Sequence, residues 1–346
     1  MTDQMESAVA DRADVVLVDG FVPVIDIAAA LSGDPAARQA TAAAIDQACS
    51  TSGFFVIAGH GVPPDLVKRM EHVALAFFAL PADVKARYAV AEGDPTIRGW
   101  YGTPSYVGAS DGNETAPDLC ELYTSCRLGD PGVSTPDSLG EDFAVWSKAN
   151  VWPTEELPEF ETTSHEYYDT LEAVSAQLMQ LFALALGLEE TFFDAYIDDH
   201  ITNLTINHYP AVEGEPLPGQ YRKGPHSDWG TLTVLYQDGT GGLEVLDRDA
   251  DEWVSVPVIP GTFVVNIGDL MELWTNDRWR STKHQVPVPP AEVRSVPRVS
   301  MPYFHQPNWN ARVEVLPSCL PDGEEAKHPP VTSGQYLKDK IAMSYS

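Results

Sequence analysis

The feature that most constrains the fold is a dense series of short strand patterns in the C-terminal half of the chain. Turn signals such as Asp238-Gly239 and Pro260-Gly261 separate these patterns, within which apolar residues recur with a period of two. Many short strands at close spacing are typical of a double-sheet barrel or jelly roll. The predicted strands cover residues 203–209, 221–227, 231–237, 242–246, 253–257, 262–266, 283–288 and 296–305.

The N-terminal half is predicted to be mostly helical. Residues 35–51 are rich in alanine, and the segment 63–80 starts with two prolines, which the first turn of a helix tolerates. Residues 154–198 return to apolar residues at helical spacing. We therefore expect an α+β fold with a double-stranded β-helix (jelly-roll, cupin-like) core and flanking N-terminal helices. Further strand patterns lie at 21–26, 53–57, 100–107 and 119–125.

We expect a loose tail over residues 1–20 and a single domain over residues 21–346. Residues 89–153 are rich in Gly, Pro, Asp and Ser, and a long irregular stretch of this kind predicts a functional lid. A closing helix is expected near the C-terminus, at 332–345. The parts of the predicted domain are a mostly helical region (21–200), the jelly-roll core (201–310) and a C-terminal extension (311–346).

The charge of the chain limits its partners. The formal net charge is −30, from 51 acidic and 21 basic residues, and such a surface repels phosphate backbones and anionic membranes. We therefore expect a small-molecule substrate and neither a nucleic-acid nor a membrane partner. The sequence does not fix the oligomeric state, and we favour a monomer.

Targeting and redox signals predict a cytoplasmic protein. The N-terminus is acidic and lacks the pattern of a signal peptide, and no apolar stretch reaches the roughly 18 residues of a membrane span. The cysteines form no C-x-x-C pair, so we interpret them as reduced thiols. These cysteines are Cys49, Cys120, Cys126 and Cys319.

Three residues of the strand-rich region form a candidate metal site. His226 and Asp228 lie two residues apart, so on a strand they project from the same face. His284 lies on another predicted strand and could supply a third ligand. Two histidines and one carboxylate on one face of an ion leave its other positions open, as in non-haem Fe(II) oxygenases. An H-x-D pair alone arises by chance, so the assignment depends on what accompanies it.

The strand at 296–305 carries a candidate carboxylate cradle. Arg298 and Ser300 share one face of this strand, and a guanidinium beside a hydroxyl suits a carboxylate. The alternative is a surface salt bridge. Apolar neighbours predict a buried strand instead, and a buried arginine needs an anionic partner. These neighbours are Val296, Val299, Met301, Tyr303 and Phe304.

Together these motifs resemble a known family. The segment 204–306 is similar to the C-terminal core of the isopenicillin N synthase and plant-type Fe(II)- and 2-oxoglutarate-dependent dioxygenases. The N-terminal pieces 22–26, 53–57 and 59–62 also resemble that family, so the resemblance covers about residues 20–310. His60, in the third piece, matches a structural turn and is not counted as a ligand.

The resemblance implies an oxidoreductase that uses Fe(II), 2-oxoglutarate and O₂. It would oxidise a small organic metabolite by hydroxylation, desaturation or ring closure, with release of succinate and CO₂. A role in secondary metabolism is consistent with this. The resemblance assigns His226, Asp228 and His284 to iron, and Arg298, Ser300, Tyr209 and Asn207 to 2-oxoglutarate.

The substrate contacts are predicted from position rather than from motif. Arg98 could bind a substrate carboxylate in a chain with few basic residues, although a surface cation paired with an acid explains it equally well. His208 and His305 alternate away from the site residues on their strands and should face the opposite side. The predicted substrate-binding residues are Arg98, Tyr101, Tyr123, Trp229 and Phe304.

Three other functions compete with this prediction. An oxidase of the same fold, such as isopenicillin N synthase, takes its electrons from the substrate, and Arg298 would then hold a substrate carboxylate. A catalytically silent binding protein would have no need of the complete set of five motif residues. Structural zinc usually has four ligands, often thiolates, and no cysteine lies near the triad in the sequence.

Overall fold

The computed structural model describes residues 15–91, 94, 98–102, 116–130, 133, 148–212, 214–321 and 323–344. About half of the predicted lid at 89–153 and most of the predicted tail at 1–20 lie outside these residues. The described residues form helices and two main β-sheets, which agrees with the predicted α+β class.

The larger sheet has nine strands in the order β1-β2-β3-β11-β8-β13-β6-β5-β4. Its neighbouring strands are antiparallel except for β2 and β3, which run parallel. The strands are β1 (Val16–Val18), β2 (Val24–Asp26), β3 (Phe54–Ala58), β4 (Gly99–Tyr101), β5 (Glu121–Ser125), β6 (Asn203–Tyr209), β8 (Leu232–Gln237), β11 (Phe263–Ile267) and β13 (Arg298–His305).

The smaller sheet has four strands in the order β10-β9-β12-β7, and a further two-stranded sheet pairs β14 with β15. All eight strands predicted between residues 203 and 305 are present, with ends that agree within two residues. These further strands are β7 (Tyr221–His226), β9 (Glu244–Asp247), β10 (Glu252–Ser255), β12 (His284–Pro287), β14 (Arg312–Val313) and β15 (Val331–Thr332).

Strand β3 illustrates how the large sheet is buried on both faces. Phe55 and Ile57 belong to the core on the helical side, whereas Phe54 and Val56 belong to a second core that includes residues of the small sheet. Successive side chains of a strand point to opposite faces, so both sets are buried at once. This explains why the segment reads as a continuous apolar run rather than as an alternating one.

Helices cover the outer face of the large sheet. The longest begins at Phe160 and ends at Ala185, and a short helix follows at Asp194–Ile197, so the helical region predicted at 154–198 is interrupted. Gly187 adopts φ 72°, and the amide of Leu188 donates to the carbonyl of Ala183 (2.9 Å). This is the Schellman termination that glycine allows. The helices are α1 (Ala28–Leu31), α2 (Pro35–Thr51), α3 (Pro64–Phe78), α4 (Ala82–Lys85), α5 (Phe160–Ala185), α6 (Asp194–Ile197), α7 (Asp269–Trp274) and α8 (Ser333–Ser344).

Among the described helices, none combines the length and the apolar character that crossing a membrane requires. The predicted closing helix is present as α8. A strand was predicted at 100–107, and β4 covers 99–101. Residues 103–107 lie outside the described part of the chain.

Candidate functional site

A cavity lies between the two main sheets, and both sheets line it. Strands β5, β6, β8, β11 and β13 contribute from the large sheet, and β7 and β12 contribute from the small sheet. Side chains at alternate positions of β6 and β13 point into it, because they lie on the inner face of the large sheet. All three predicted metal ligands and all four predicted co-substrate residues line this cavity.

The three candidate metal ligands converge at one place. His226 ends β7 and His284 begins β12, and the two residues are direct partners across these antiparallel strands. Their ring centroids lie 4.3 Å apart. Asp228 follows β7, and its Oδ1 lies 3.7 Å from Nε2 of His284 and 4.0 Å from Nε2 of His226. One ligand atom from each residue lies within 4.8 Å of the others, a spacing that suits a metal ion.

Backbone carbonyls orient both imidazoles. Nδ1 of His226 lies 2.8 Å from the carbonyl oxygen of Gly224, and Nδ1 of His284 lies 3.2 Å from that of Thr282. A carbonyl only accepts, so the Nδ1 proton of each ring faces its carbonyl, and in the neutral form of a ring the lone pair is on Nε2. Burial, with the charges of His284 and Lys223, holds the pKa of His226 well below its usual value. The lone pair is therefore available to a metal ion.

Two residues that the sequence analysis missed orient Asp228. The Thr233 hydroxyl and the Asn266 amide each donate to Oδ2 of Asp228 at 2.6 Å. This leaves Oδ1 directed toward the two histidines. Thr233 and Asn266 are polar residues with apolar neighbours on both sides in β8 and β11, and that contrast is the signal the sequence carried. Partners of this kind fix a ligand's orientation and tune the metal.

The predicted carboxylate cradle lies on β6 and β13 in the same cavity as the metal cluster, and the two together form its charged end. Arg298 pairs with Tyr209 across β13 and β6, and Ser300 pairs with Asn207. Nε of Arg298 donates to the carbonyl of Gly241 at 2.7 Å, and the guanidinium lies 4.9 Å from the centroid of the Tyr209 ring. Burial raises the pKa of Tyr209, so its hydroxyl stays a donor.

The guanidinium of Arg298 has an unused donor. Only 2% of the residue is exposed, and its Nη1 has no hydrogen-bond partner among the described residues. A buried, unpaired cationic donor is costly unless a ligand meets it. The geometry therefore fits a carboxylate at the cradle and a metal ion at the histidine and aspartate cluster.

The remaining lining forms an uncharged end of the cavity. Among the described residues, this end has neither acidic nor basic side chains, and several are polar but neutral. Trp229 and Phe304, which the sequence suggested as substrate contacts, line the cavity here, and so does Leu337 of α8, which the sequence did not suggest. The uncharged end comprises Leu122, Thr124, Asn203, Thr205, Trp229, Pro302, Phe304, Gln306 and Leu337.

Arg98 is buried beside the uncharged end and forms a hydrogen bond with Asn203. Only 3% of Arg98 is exposed, and Nη1 donates to Oδ1 of Asn203 at 3.0 Å. Asn203 lines the cavity, but Arg98 does not. Tyr101 pairs with Leu122 on β4 and β5, so it lies on the cavity face at the edge of the sheet. The surface-cation alternative for Arg98 is therefore wrong.

The structure corrects the prediction for Tyr123. It lies on the opposite face of β5, in the core between sheet and helices. Its ring contacts Phe77 and Phe160 at centroid distances of 5.1 and 5.0 Å, and its hydroxyl donates to the carbonyl of Val151. The prediction that His208 faces away is confirmed, because its Nδ1 lies 2.9 Å from a carboxylate oxygen of Glu121 on this outer face.

A two-histidine, one-carboxylate cluster and a buried arginine in one cavity define a candidate centre for a metal-dependent oxygenase. Comparison with known families agrees. Residues 201–307 match the 2OG-Fe(II) oxygenase superfamily, and residues 22–155 match the N-terminal family described as non-haem dioxygenase in morphine synthesis. The chain belongs to the 2OG-Fe(II) oxygenase superfamily. It is an oxidoreductase that uses Fe(II), 2-oxoglutarate and O₂.

Individual relatives span nearly the whole chain. Validamycin A dioxygenase of Streptomyces hygroscopicus subsp. limoneus is 37% identical over 329 residues, which is 94% of this chain and 87% of that relative. The 2-oxoglutarate-Fe(II) type oxidoreductase hxnY of Emericella nidulans is 31% identical, covering 93% and 90%. A full-length Neurospora crassa protein, crystallised in complex with alpha-KG, has 31% identity and a TM-score of 0.82, covering 94% and 96%.

Proposed function

We propose that this enzyme couples the oxidative decarboxylation of 2-oxoglutarate to oxidation of a small, polar organic metabolite. The products would be succinate, CO₂ and a hydroxylated, desaturated or ring-closed metabolite. The observation that carries the proposal is the unused Nη1 donor of Arg298, buried in the cavity that also contains the histidine and aspartate cluster. A dianionic co-substrate that reaches from Arg298 to the metal would give the arginine an anionic partner and the metal a further ligand.

In this proposal, iron is held by Nε2 of His226, Nε2 of His284 and Oδ1 of Asp228. Bound iron supplies the open coordination positions and the redox chemistry that side chains lack. Thr233 and Asn266 keep the aspartate in place through its other oxygen.

Arg298 and Ser300 would bind the far carboxylate of 2-oxoglutarate, with Tyr209 and Asn207 beside them. Apolar side chains of both sheets line the same stretch of cavity and would exclude water from it. These side chains are Leu235, Leu243 and Val286.

We also propose that the two main sheets are the two halves of a double-stranded β-helix within one domain over residues 21–346. The facing inner surfaces, the shared second core and the cavity between the sheets support this. The C-terminal extension would belong to the same unit, because Leu337 of α8 lines the cavity.

The substrate would bind at the uncharged end. Trp229 and Phe304 offer aromatic surface, and the amides of Asn203 and Gln306 offer hydrogen bonds. Arg98 would position Asn203 rather than bind a substrate carboxylate, because its Nη1 already donates to the Asn203 amide oxygen. A neutral, polar metabolite fits this end better than an acid. The names of the relatives are consistent with a small metabolite. One is a validamycin A dioxygenase, and the Neurospora crassa protein was also crystallised with thymine.

An anaerobic absorption titration tests the proposal. Iron-loaded protein receives 2-oxoglutarate, with His284→Ala and Arg298→Met as variants. A weak visible charge-transfer band that saturates, disappears in His284→Ala and needs far more co-substrate in Arg298→Met is expected. Iron binding without any band would contradict the proposal and favour an oxidase that does not use 2-oxoglutarate. A 1-aminocyclopropane-1-carboxylate oxidase of Dictyostelium discoideum is 28% identical to this chain, so that outcome is a specific alternative.

A further inference from the structure

We propose that Lys223 is a second cationic anchor for the co-substrate, acting together with Arg298 on the dianion of 2-oxoglutarate. The inference rests on the proposed function and adds a residue that the triad and cradle motifs do not contain. It begins from the position of Lys223 in the small sheet.

Lys223 lies on the cavity side of β7. It pairs with Val286 of β12, which lines the cavity as well, and only 9% of the residue is exposed. The preceding residue, Arg222, donates to the carbonyl of Val296 instead and does not line the cavity. This alternation places the Lys223 side chain on the cavity side of β7, among the residues that line the cavity.

The strand position of Lys223 places it near both the carboxylate cradle and the metal cluster. Lys223 lies on β7, which ends at His226, and its partner Val286 lies two residues from His284 on β12. Burial raises the pKa of Tyr209 in the cradle, and the charges of Arg298 and Lys223 both oppose that rise. A co-substrate that bridges the cradle and the metal would therefore pass close to Lys223.

The charge balance of the cavity favours an anionic occupant. Among its described lining residues, Arg298 and Lys223 are basic and Asp228 is the only acidic one. Cys120 does not compensate, because burial raises the pKa of its thiol to about 12. Asp118 is buried nearby, where one carboxylate oxygen accepts from the amide of Gly224. A purely structural pair of Lys223 with Asp118 is therefore the alternative to exclude.

The test is the dissociation constant of 2-oxoglutarate, measured by anaerobic titration of the iron-loaded protein through the charge-transfer band. Lys223→Met keeps the length of the side chain and removes the charge. It should weaken 2-oxoglutarate binding by about ten- to a hundredfold, as expected for a hydrogen bond to a charged group. Lys68→Met is the matched control, because it makes the same charge change at an exposed site and should leave the constant unchanged.

Two further Lys223 variants and the salt dependence of binding test whether the charge of Lys223 is responsible for the effect. Lys223→Gln and Lys223→Arg repeat the comparison with a neutral and a charged side chain, and only the neutral variant should bind 2-oxoglutarate weakly. Binding by Lys223→Met should also depend less on salt than binding by the wild type. Wild-type affinity in folded Lys223→Met or Lys223→Gln, with or without lower thermal stability, would overturn the inference. Absence of the band in the wild type would overturn the proposed function itself.

Discussion

The two ends of the cavity differ in how their side chains are held. At the charged end, each key group has a fixed partner, such as Thr233 for Asp228 and Gly241 for Arg298. Its residues lie on or beside paired strands of both sheets. The uncharged end combines strand residues with Trp229 from a loop and Leu337 from the C-terminal helix.

This difference indicates a division of roles between the paired strands and the loop and terminal helix beside them. A dianion and a metal ion need charges fixed in direction, because an unpaired buried charge is costly. A neutral metabolite needs shape and a few hydrogen bonds, which loops and a terminal helix can supply. The comparison predicts that substitutions at one end leave binding at the other end intact.

The largest effect is expected from His284→Ala. Loss of a ligand should lower Fe(II) affinity by more than the roughly 10- to 100-fold that loss of a ligand's supporting partner costs. Turnover of 2-oxoglutarate should disappear with it. Competition with a chelator measures the affinity, and His328→Ala, an exposed histidine beside Asp277, is the control. Unchanged iron binding in His284→Ala would remove the metal centre from the proposal.

Arg298→Met should raise the dissociation constant of 2-oxoglutarate by about thirtyfold to a few thousandfold. This range corresponds to the roughly 2–5 kcal/mol lost when one partner of a buried charge pair is truncated. Isothermal titration of the Mn(II)-loaded protein measures it without turnover. Arg312→Met removes an exposed guanidinium and should bind normally. If Arg298→Met and Arg312→Met bound 2-oxoglutarate with equal affinity, the far carboxylate of 2-oxoglutarate would not be bound by Arg298.

Thr233→Val and Asn266→Leu should each lower metal affinity by about 10- to 100-fold. Both changes remove a donor to Oδ2 of Asp228 while keeping a side chain of similar size. Affinity from chelator competition should fall further in the double variant. A metal affinity equal to that of the wild type in both single variants would mean that Asp228 holds its orientation without them.

Arg98→Met separates the two ends directly. It leaves the buried amide oxygen of Asn203 without its charged donor, which should lower the free energy of unfolding by about 1–3 kcal/mol. The dissociation constant of 2-oxoglutarate should not change. Urea denaturation and the anaerobic titration measure the two quantities. Weaker 2-oxoglutarate binding in a folded Arg98→Met protein would contradict the division of the cavity.

The smallest effect is expected from Tyr123→Phe. The hydroxyl donates to the carbonyl of Val151 in the helical core, so its loss should lower the free energy of unfolding by about 1 kcal/mol. Turnover of 2-oxoglutarate and its binding should stay at wild-type values, because the residue does not line the cavity. A selective loss of turnover without a loss of stability would return Tyr123 to the substrate site.

Residues missed or misplaced by the sequence analysis share a physical cause. Both faces of β5 are buried, so alternation along its sequence does not tell which face Tyr123 occupies. Thr233 and Asn266 take their roles from hydrogen bonds to Asp228, which lies outside their strands, and no local period encodes such pairing. The end of α5 was missed because the apolar pattern continues beyond Gly187.

The sequence by itself determined the strands of the core, the His226-x-Asp228 motif, and the shared face of Arg298 and Ser300. The strands and the shared face follow from a period of two within one strand, and the motif from spacing along the chain, all of which are local properties. Only the tertiary structure decided that His284 is the direct partner of His226 and that the two ends share one cavity. Those facts depend on the register between strands far apart in sequence, which is fixed by packing the two sheets against each other.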